Sequence, residues 1–507
     1  MEKILVVNYG SQFNQLIARR VREFGVYSEI VDFDTPIEVY ADPDVKGIIL
    51  SGGPNSVYDQ GAPSIDKKIF DLGKPILGIC YGMQITQYAL GGVIESSDKR
   101  EYGKSTLTTI KASNILAGVE EESIVWMSHG DHVTKLAEGF EKLAYTDTCI
   151  AVAVNQEKNI YNVQFHPEVT HSEYGAKMIE NFVNICETKR TWTMHNYIEK
   201  TIKEIQAEVK DKKVILGLSG GVDSSVVAML VHRAIGDNLT CIFVDTGLLR
   251  KAEGDKVMEV YGNHYQMRIQ RVNAQNLFLD GLKGVKDPET KRKIIGKLFV
   301  QVFEQAKAEQ QDAEYLAQGT IYPDVIESST KGAGATIKSH HNVGGLPEKL
   351  NFKLLEPLKD LFKDEVRKVG IELGMPFELV NRHPFPGPGL GIRVIEEVTR
   401  EKVKILQEAD DIFISELIEN NLYHQSSQAY VALLPCKTVG VMGDGRTYEY
   451  VCAIRSVNTQ DFMTATFTRL PYEFLDKVAT RIVNEVAGIN RVVYDITSKP
   501  PGTIEWE

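Results

Sequence analysis

Short apolar runs alternate with longer amphipathic stretches through the first three-quarters of the chain. The runs at residues 4–7 (ILVV), 27–31 (YSEIV), 45–50 (VKGIIL) and 76–79 (ILGI) are too short for helices and read as strands, most of them buried. Between and after them, residues 13–24 and 83–90 carry a helical pattern, the first closed by Gly25. Strands alternating with helices predict a mainly parallel, doubly wound sheet, whose ligands sit beyond the carboxyl ends of the strands. Gly52 and Cys80 fall at such ends. The pattern restarts at residues 214–218 (VILGL), with a helix at 226–235 and further strand ends at 241–247 (CIFVDTG) and 316–320 (LAQGT). Beyond residue 385 helices (402–418, 474–486) mix with strands (430–434, 448–456, 491–495), an α+β pattern. The polar bridge at 187–197 and the irregular HPFPGPGL at 383–390 mark two boundaries. The expected fold is therefore α/β, with two doubly wound domains at residues 1–190 and 191–385 and a smaller α+β domain at 386–507.

A length of 507 residues suits about three domains. With 43% hydrophobic and 25% charged residues the chain has the composition of a soluble globular protein. A net charge of −12 argues against a broad nucleic-acid footprint. No apolar run approaches the roughly 18 residues of a membrane span, and the start has no signal-peptide layout. The six cysteines are far apart and form no CxxC pair, which fits a reducing cytoplasm without zinc site or disulfide framework.

The candidate chemistry begins after the strand at 214–218, with Ser219, Gly220, Gly221, Val222, Asp223, Ser224 and Ser225 (SGGVDSS). Strand, glycine turn and helix is a phosphate-binding layout. The glycines let an anion approach the backbone, and the helix start offers free N–H groups and a positive dipole end. A carboxylate beside phosphates needs a reason, and Mg²⁺ bridging Asp223 and phosphate oxygens supplies one. The string lacks the GxxxxGK[ST] of a Walker A loop. It could also be a plain Gly-Ser turn with Asp223 as a cap.

GICYGMQ at residues 78–84 has the nucleophile-elbow pattern with sulfur in place of oxygen. Cys80 would stand at a helix N-terminus, where the dipole favours the thiolate, although a free cysteine also commonly packs as a small core residue. Downstream, the strand at 162–165 runs into His166, Pro167 and Glu168. A histidine to take the thiol proton and a carboxylate to orient it complete a Cys80–His166–Glu168 triad.

SGGVDSS resembles the pyrophosphate loop of the N-type ATP pyrophosphatases. GICYGMQ, QFHPE (164–168) and SGGP (51–54) together resemble the class I glutamine amidotransferases. That resemblance implies an oxyanion hole from the backbone N–H groups of Tyr81 and the Gly52–Gly53 loop. The segment WMSHGD (126–131) also fits it, with His129 read as structural. The order of these parts, closed by KPPGTIEWE (499–507), resembles the glutamine-hydrolysing GMP synthetase family from end to end. The resemblance implies a cytoplasmic enzyme that hydrolyses glutamine, adenylates the C2 oxygen of XMP with Mg·ATP and lets ammonia displace AMP. It implies no organic prosthetic group, no nucleic-acid or membrane partner, and a homodimer formed through the C-terminal domain.

The strand end at 241–247 points at the same crevice as the loop, and its backbone near Val244 is a candidate for holding adenine. The resemblance assigns Arg292, Gln428, Lys499, Thr503, Ile504 and Glu505 to XMP. The glycine-rich stretch 331–345, with Lys331, Lys338, His340 and His341, is expected to be a lid over the adenylated intermediate. An amidotransferase-coupled pyrophosphatase making NAD or asparagine is the rival enzyme, but its glutaminase domain would lack a GxCxG elbow. A tRNA-thiolating enzyme would need cysteines near the loop. A non-catalytic scaffold homologue should have lost a triad member or Asp223, and all are present.

Overall fold

In the computed structural model the protein is described at residues 1–310, 312–329, 352–459 and 462–507. The lid residues Lys331, Lys338, His340 and His341 lie outside the described residues. The chain forms two compact units, residues 1–197 and 198–507.

The first unit is built on a nine-stranded sheet of β1 (Lys3–Asn8), β2 (Tyr27–Asp32), β3 (Val45–Leu50), β4 (Ile76–Ile79), β5 (Val93–Thr109), β6 (Glu122–Lys135), β7 (Glu141–Tyr145), β8 (Ile150–Asn155) and β9 (Ile160–Val163). Its order is β2-β1-β3-β4-β9-β8-β7-β5-β6. The five strands from β2 to β9 pair in parallel, as their apolar sequences require of strands covered on both faces. Beyond β9 the sheet continues as four antiparallel strands. The ends of β1, β3, β4 and β9 lie on neighbouring strands, so Ser11, Gly52, Cys80 and His166 leave the same edge of the sheet. Leu5, Val7, Ile48, Leu50 and Ile76 belong to the core beneath that edge.

The second unit holds a parallel sheet of β10 (Lys213–Gly217), β11 (Leu239–Asp245), β12 (Ile269–Asn273), β13 (Ala313–Ala317) and β14 (Lys353–Leu355). The order is β12-β11-β10-β13-β14. The order reverses at β10, so the crevice for a ligand opens where SGGVDSS begins. A second sheet contains β15 (Gln428–Met442), β16 (Gly445–Asn458), β17 (Thr466–Phe467) and β18 (Ile489–Asp495). One apolar cluster joins the two sheets, running from Ile215 and Phe303 to Phe413, Ile454 and Ile489.

Several helices start two to four residues ahead of the sequence pattern, those expected from 402 and 474 at Arg400 and Tyr472 among them, and two of these starts bear on the site. The helix expected from residue 226 covers Val222–Ile235, so Asp223, Ser224 and Ser225 form its first turn. The helix expected from residue 83 covers Tyr81–Ala89, directly after Cys80. At the first, Asp223, Ser224 and Ser225 hide the start because the apolar pattern resumes one turn later; at the second, Gly82 interrupts the pattern two residues into the helix.

Candidate active site

The elbow at Cys80 is a strained turn held by close packing. Cys80 has φ 52°, a left-handed value uncommon for a residue with a side chain. The turn closes because Gly78 and Gly82 have no Cβ. One on Gly78 would lie 2.5 Å from Asn162 Oδ1, and one on Gly82 would lie 2.1 Å from the Leu50 carbonyl oxygen. Gly82→Ala should therefore push the helix off β3. Overpacking of this kind costs about 1–3 kcal/mol, and a unit of this size loses about 2–4 °C per kcal/mol. The expected result is a melting transition of the first unit lowered by ~2–12 °C in calorimetry. An unchanged transition would contradict the packing.

Cys80, His166 and Glu168 come together in the structure. His166 Nδ1 is 2.7 Å from Glu168 Oε1, and both residues are buried. Burial alone pushes the His166 ring down, but the charge of Glu168 and the hydrogen bonds with Cys80 and Glu168 outweigh it. They hold the imidazole well above its ordinary value. Phe13 meets the His166 ring edge-on at 5.2 Å, the Ser172 hydroxyl donates to the His166 carbonyl at 2.7 Å, and Arg20 donates to the Glu168 carbonyl at 3.1 Å. The sequence reading named none of these three, whose signal is spatial only. Gly52 lies against the pair, since a Cβ there would be 3.1 Å from His166 Cε1 and 3.7 Å from Cys80 Cβ. Tyr81 opens the helix, where N–H groups have no partner inside it. Cys80 and His166 face a cavity of about 690 Å³, also lined by Ser11, Gln84, Ser128 and His129.

His129, expected to be structural, is buried. Its Nε2 lies 3.4 Å from Glu101 Oε2 and 3.9 Å from Cys149 Sγ. Burial pushes Glu101 up, yet hydrogen bonds with His129, Ser105 and Thr148 bring it down to about 2. Burial pushes the Cys149 thiol up to about 11.

In the second unit the loop has the layout the sequence implies. Gly220 takes φ 75°, open to glycine at little cost. The Ser219 and Ser224 hydroxyls are 2.9 Å apart, and Gly221 N–H donates to Ser219 Oγ at 3.2 Å. Val222 and Ser225 are buried and anchor the first turn. Val244 is buried near the carboxyl end of β11, past the last pair with β10, Gly217 with Ile242. Two residues outside the motif complete the loop. Arg382 donates to the Gly220 carbonyl and to Glu253, each at 2.6 Å. Lys363 Nζ reaches both oxygens of Asp223 at 2.6 Å.

The residues assigned to XMP meet in the docked tail. Gln428 Nε2 donates to Glu505 Oε1 at 2.6 Å, while Arg393 grips both Glu505 oxygens at 2.8 and 3.1 Å. Arg292 Nη2 donates to the Glu507 carbonyl at 2.6 Å, and the buried Lys291 ammonium pairs with the Glu507 side chain. Ile504 is buried with Val457 and Ala465. Lys499 Nζ donates to the Phe462 carbonyl at 2.6 Å, and Thr503 bonds to the Glu505 carbonyl. Arg455, fully buried, gathers the carbonyls of Thr497 (2.6 Å) and Thr503 (3.0 Å). The anchors Arg393 and Arg455 sit singly in apolar runs, GLGIRVI and VCAIRSV, which is the sequence signal of a buried pair.

Residues 5–186 match the glutamine amidotransferase class-I family, 194–277 the NAD synthase family and 415–506 the GMP synthase C terminal domain. Curated proteins called "GMP synthase [glutamine-hydrolyzing]" are similar over the full length. That of Fusobacterium nucleatum is 60% identical, covering 99% of each chain. That of Mesoplasma florum is 59% identical over 100% of this chain and 99% of its own. That of Brachyspira hyodysenteriae is 55% identical with the same coverage.

Proposed function

The chain belongs to the family of glutamine-hydrolysing GMP synthases, and from that membership we propose how its residues divide the work. The protein is a ligase that makes GMP with nitrogen taken from glutamine. The observation that carries the assignment of roles is the His166–Glu168 contact of 2.7 Å beside a strained Cys80. The Cys80 sulfur attacks the side-chain carbonyl of glutamine. His166, poised with its proton by Glu168, delivers it to the departing ammonia, and water then cleaves the thioester to glutamate. The N–H groups of Tyr81 and Gly52 receive the negative oxygen.

In the second unit the Ser219–Ser225 loop holds the ATP phosphates, with the backbone near Val244 at adenine. Asp223, Ser219 and Ser224 offer the all-oxygen donor set that suits Mg²⁺, and such an ion would neutralise charge on the departing pyrophosphate. The XMP C2 oxygen attacks the α-phosphorus, pyrophosphate leaves, and ammonia displaces AMP. Lys363 balances Asp223 until phosphates arrive. Arg292, Gln428, Lys499, Thr503, Ile504 and Glu505 form the XMP side of the pocket. We divide the second unit near residue 385 into an adenylating domain and a dimerising domain, as its two separate sheets support. Among the described residues no helix is long and apolar enough to cross a membrane, and a cytoplasmic homodimer without a nucleic-acid partner fits the charge of −12 and the free cysteines.

The reading is tested by pyrophosphate release with a panel of acceptor nucleotides; release with XMP is expected, and a preference for another acceptor would reject it. The tail provides a narrower test. A carboxylate has about four lone-pair sites, and Arg393 and Gln428 take three at Glu505. One remains for a purine N–H. Glu505→Gln should raise the KM for XMP about ten- to a hundredfold, with the KM for ATP little changed. It should also lower stability, because Arg393 is left buried without a charge partner. Kinetics below the variant's unfolding temperature separate the two effects. An unchanged KM for XMP would leave the tail as packing only.

A further inference from the structure

Behind His129, which lines the glutamine cavity, lies a second cysteine–histidine–glutamate group, unused by the reaction. Glu101 comes from β5, His129 from β6 and Cys149 from the residue before β8. The separations are 3.4 Å from His129 Nε2 to Glu101 Oε2, 3.9 Å from His129 Nε2 to Cys149 Sγ and 3.8 Å from Cys149 Sγ to Glu101 Oε2. Tetrahedral zinc with bonds of about 2.3 Å to sulfur and 2.0–2.1 Å to nitrogen and oxygen needs edges of about 3.3–3.6 Å between such ligands. The three atoms thus already form one face of a tetrahedron, within a few tenths of an ångström.

The tautomer points the same way. His129 Nδ1 lies 3.1 Å from the Asp131 carbonyl oxygen, which only accepts, so Nδ1 carries the proton. Nε2 then faces the Glu101 carboxylate and Cys149. Two acceptors at that distance need a positive charge between them, either a second ring proton or a metal ion. Metal-bound histidines commonly donate their other ring N–H to a backbone carbonyl in this way, which fixes the ring's orientation. The Thr146 hydroxyl, 3.3 Å from Glu101 Oε2 and 3.5 Å from Cys149 Sγ, and the Thr148 hydroxyl orient the other two ligands.

We propose that Glu101, His129 and Cys149 form a binding site for a borderline-soft divalent cation of the Zn²⁺ class. One thiolate, one imidazole and one carboxylate select such an ion over Mg²⁺ or Ca²⁺. Binding replaces the Cys149 proton, which leaves to solvent, and the fourth position is open to water. The ion ties β5 and β6 to the start of β8 beside the cavity. Cys80 Sγ is 3.7 Å from the carbonyl of Ser128, the neighbour of His129, so loading stiffens the surroundings of the nucleophile. The three ligands come from three strand regions, so no closely spaced pair marks the site along the chain.

The test uses the full chain carrying Cys80→Ala and Cys436→Ser, which removes the cavity thiol and the exposed one. Co²⁺ is added and thiolate-to-cobalt absorption recorded; Zn²⁺ affinity is measured against a chromophoric chelator. The expected result is one ion per chain with a thiolate band. Adding Cys149→Ala should remove the band and weaken Zn²⁺ at least ~100-fold, and Glu101→Gln should weaken it by at least ~10-fold. Unchanged affinity in the Cys149→Ala protein overturns the site. So does a missing thiolate band in the parent, which decides the matter even if Cys149→Ala does not fold.

Discussion

Cys80→Ala should lower glutamine-driven GMP formation at least about a thousandfold, as loss of a nucleophile does elsewhere, and leave synthesis from ammonium salts nearly intact. Alanine keeps the Cβ, so the left-handed turn at φ 52° is no less strained and the helix start stays in place. No nearby group can substitute. Cys149 is buried and is not among the residues lining the cavity that Cys80 faces. His166 and Glu168 remain, but without sulfur their proton has no bond to help break. GMP formation is measured with each nitrogen source in the same preparation. If the folded variant fails equally with ammonium, the two sites do not divide the work as proposed.

Asp223→Asn should reduce both nitrogen sources alike, since adenylation precedes the step where they differ. Loss of charge stabilisation on the departing pyrophosphate is worth on the order of 3 kcal/mol, or about a hundredfold in rate. Instability cannot imitate this. The Asp223–Lys363 pair is partly exposed, with side chains at 32% and 46%, and exposed pairs contribute at most about 1 kcal/mol. Lys363→Ala should slow the same step, and the double variant should be less impaired than the product of the two, because the charges act as one unit. Pyrophosphate release at the parent rate in Asp223→Asn would remove Asp223 from the reaction.

Much of this was legible because it is local. Gly78, Cys80 and Gly82 write the elbow within five residues, and SGGVDSS writes a strand end, a turn and a helix start in seven. Parallel strands covered on both faces announce themselves as apolar runs. Within the antiparallel extension β8 (IAVAVN) is such a run, but β5, β6 and β7 are not, and their pairing depends on partners distant in sequence. For the same reason Lys363 was invisible beside Asp223, 140 residues away. The tail's diproline, isoleucine and tryptophan suit a docked end, but its grip comes from Arg393 and Arg455, whose partners only the fold supplies. His129 lies beside Glu101 and Cys149, company that spacing along the chain does not show.

The two cores also differ in when they can be finished on the ribosome. The buried apolar residues of the first unit all lie within residues 1–197, the last of them Phe182, Val183, Cys186, Trp192 and Tyr197. The core of the second draws Ile215, near its start, onto Ile489. At about 5–20 residues per second, the intervening stretch takes roughly 15–55 s to synthesise. Through that interval β10 and its apolar neighbours exist without the strands and helices that cover them. A nascent chain therefore carries a finished N-terminal unit ahead of a sticky, half-made one, and it is the second that chaperones would find.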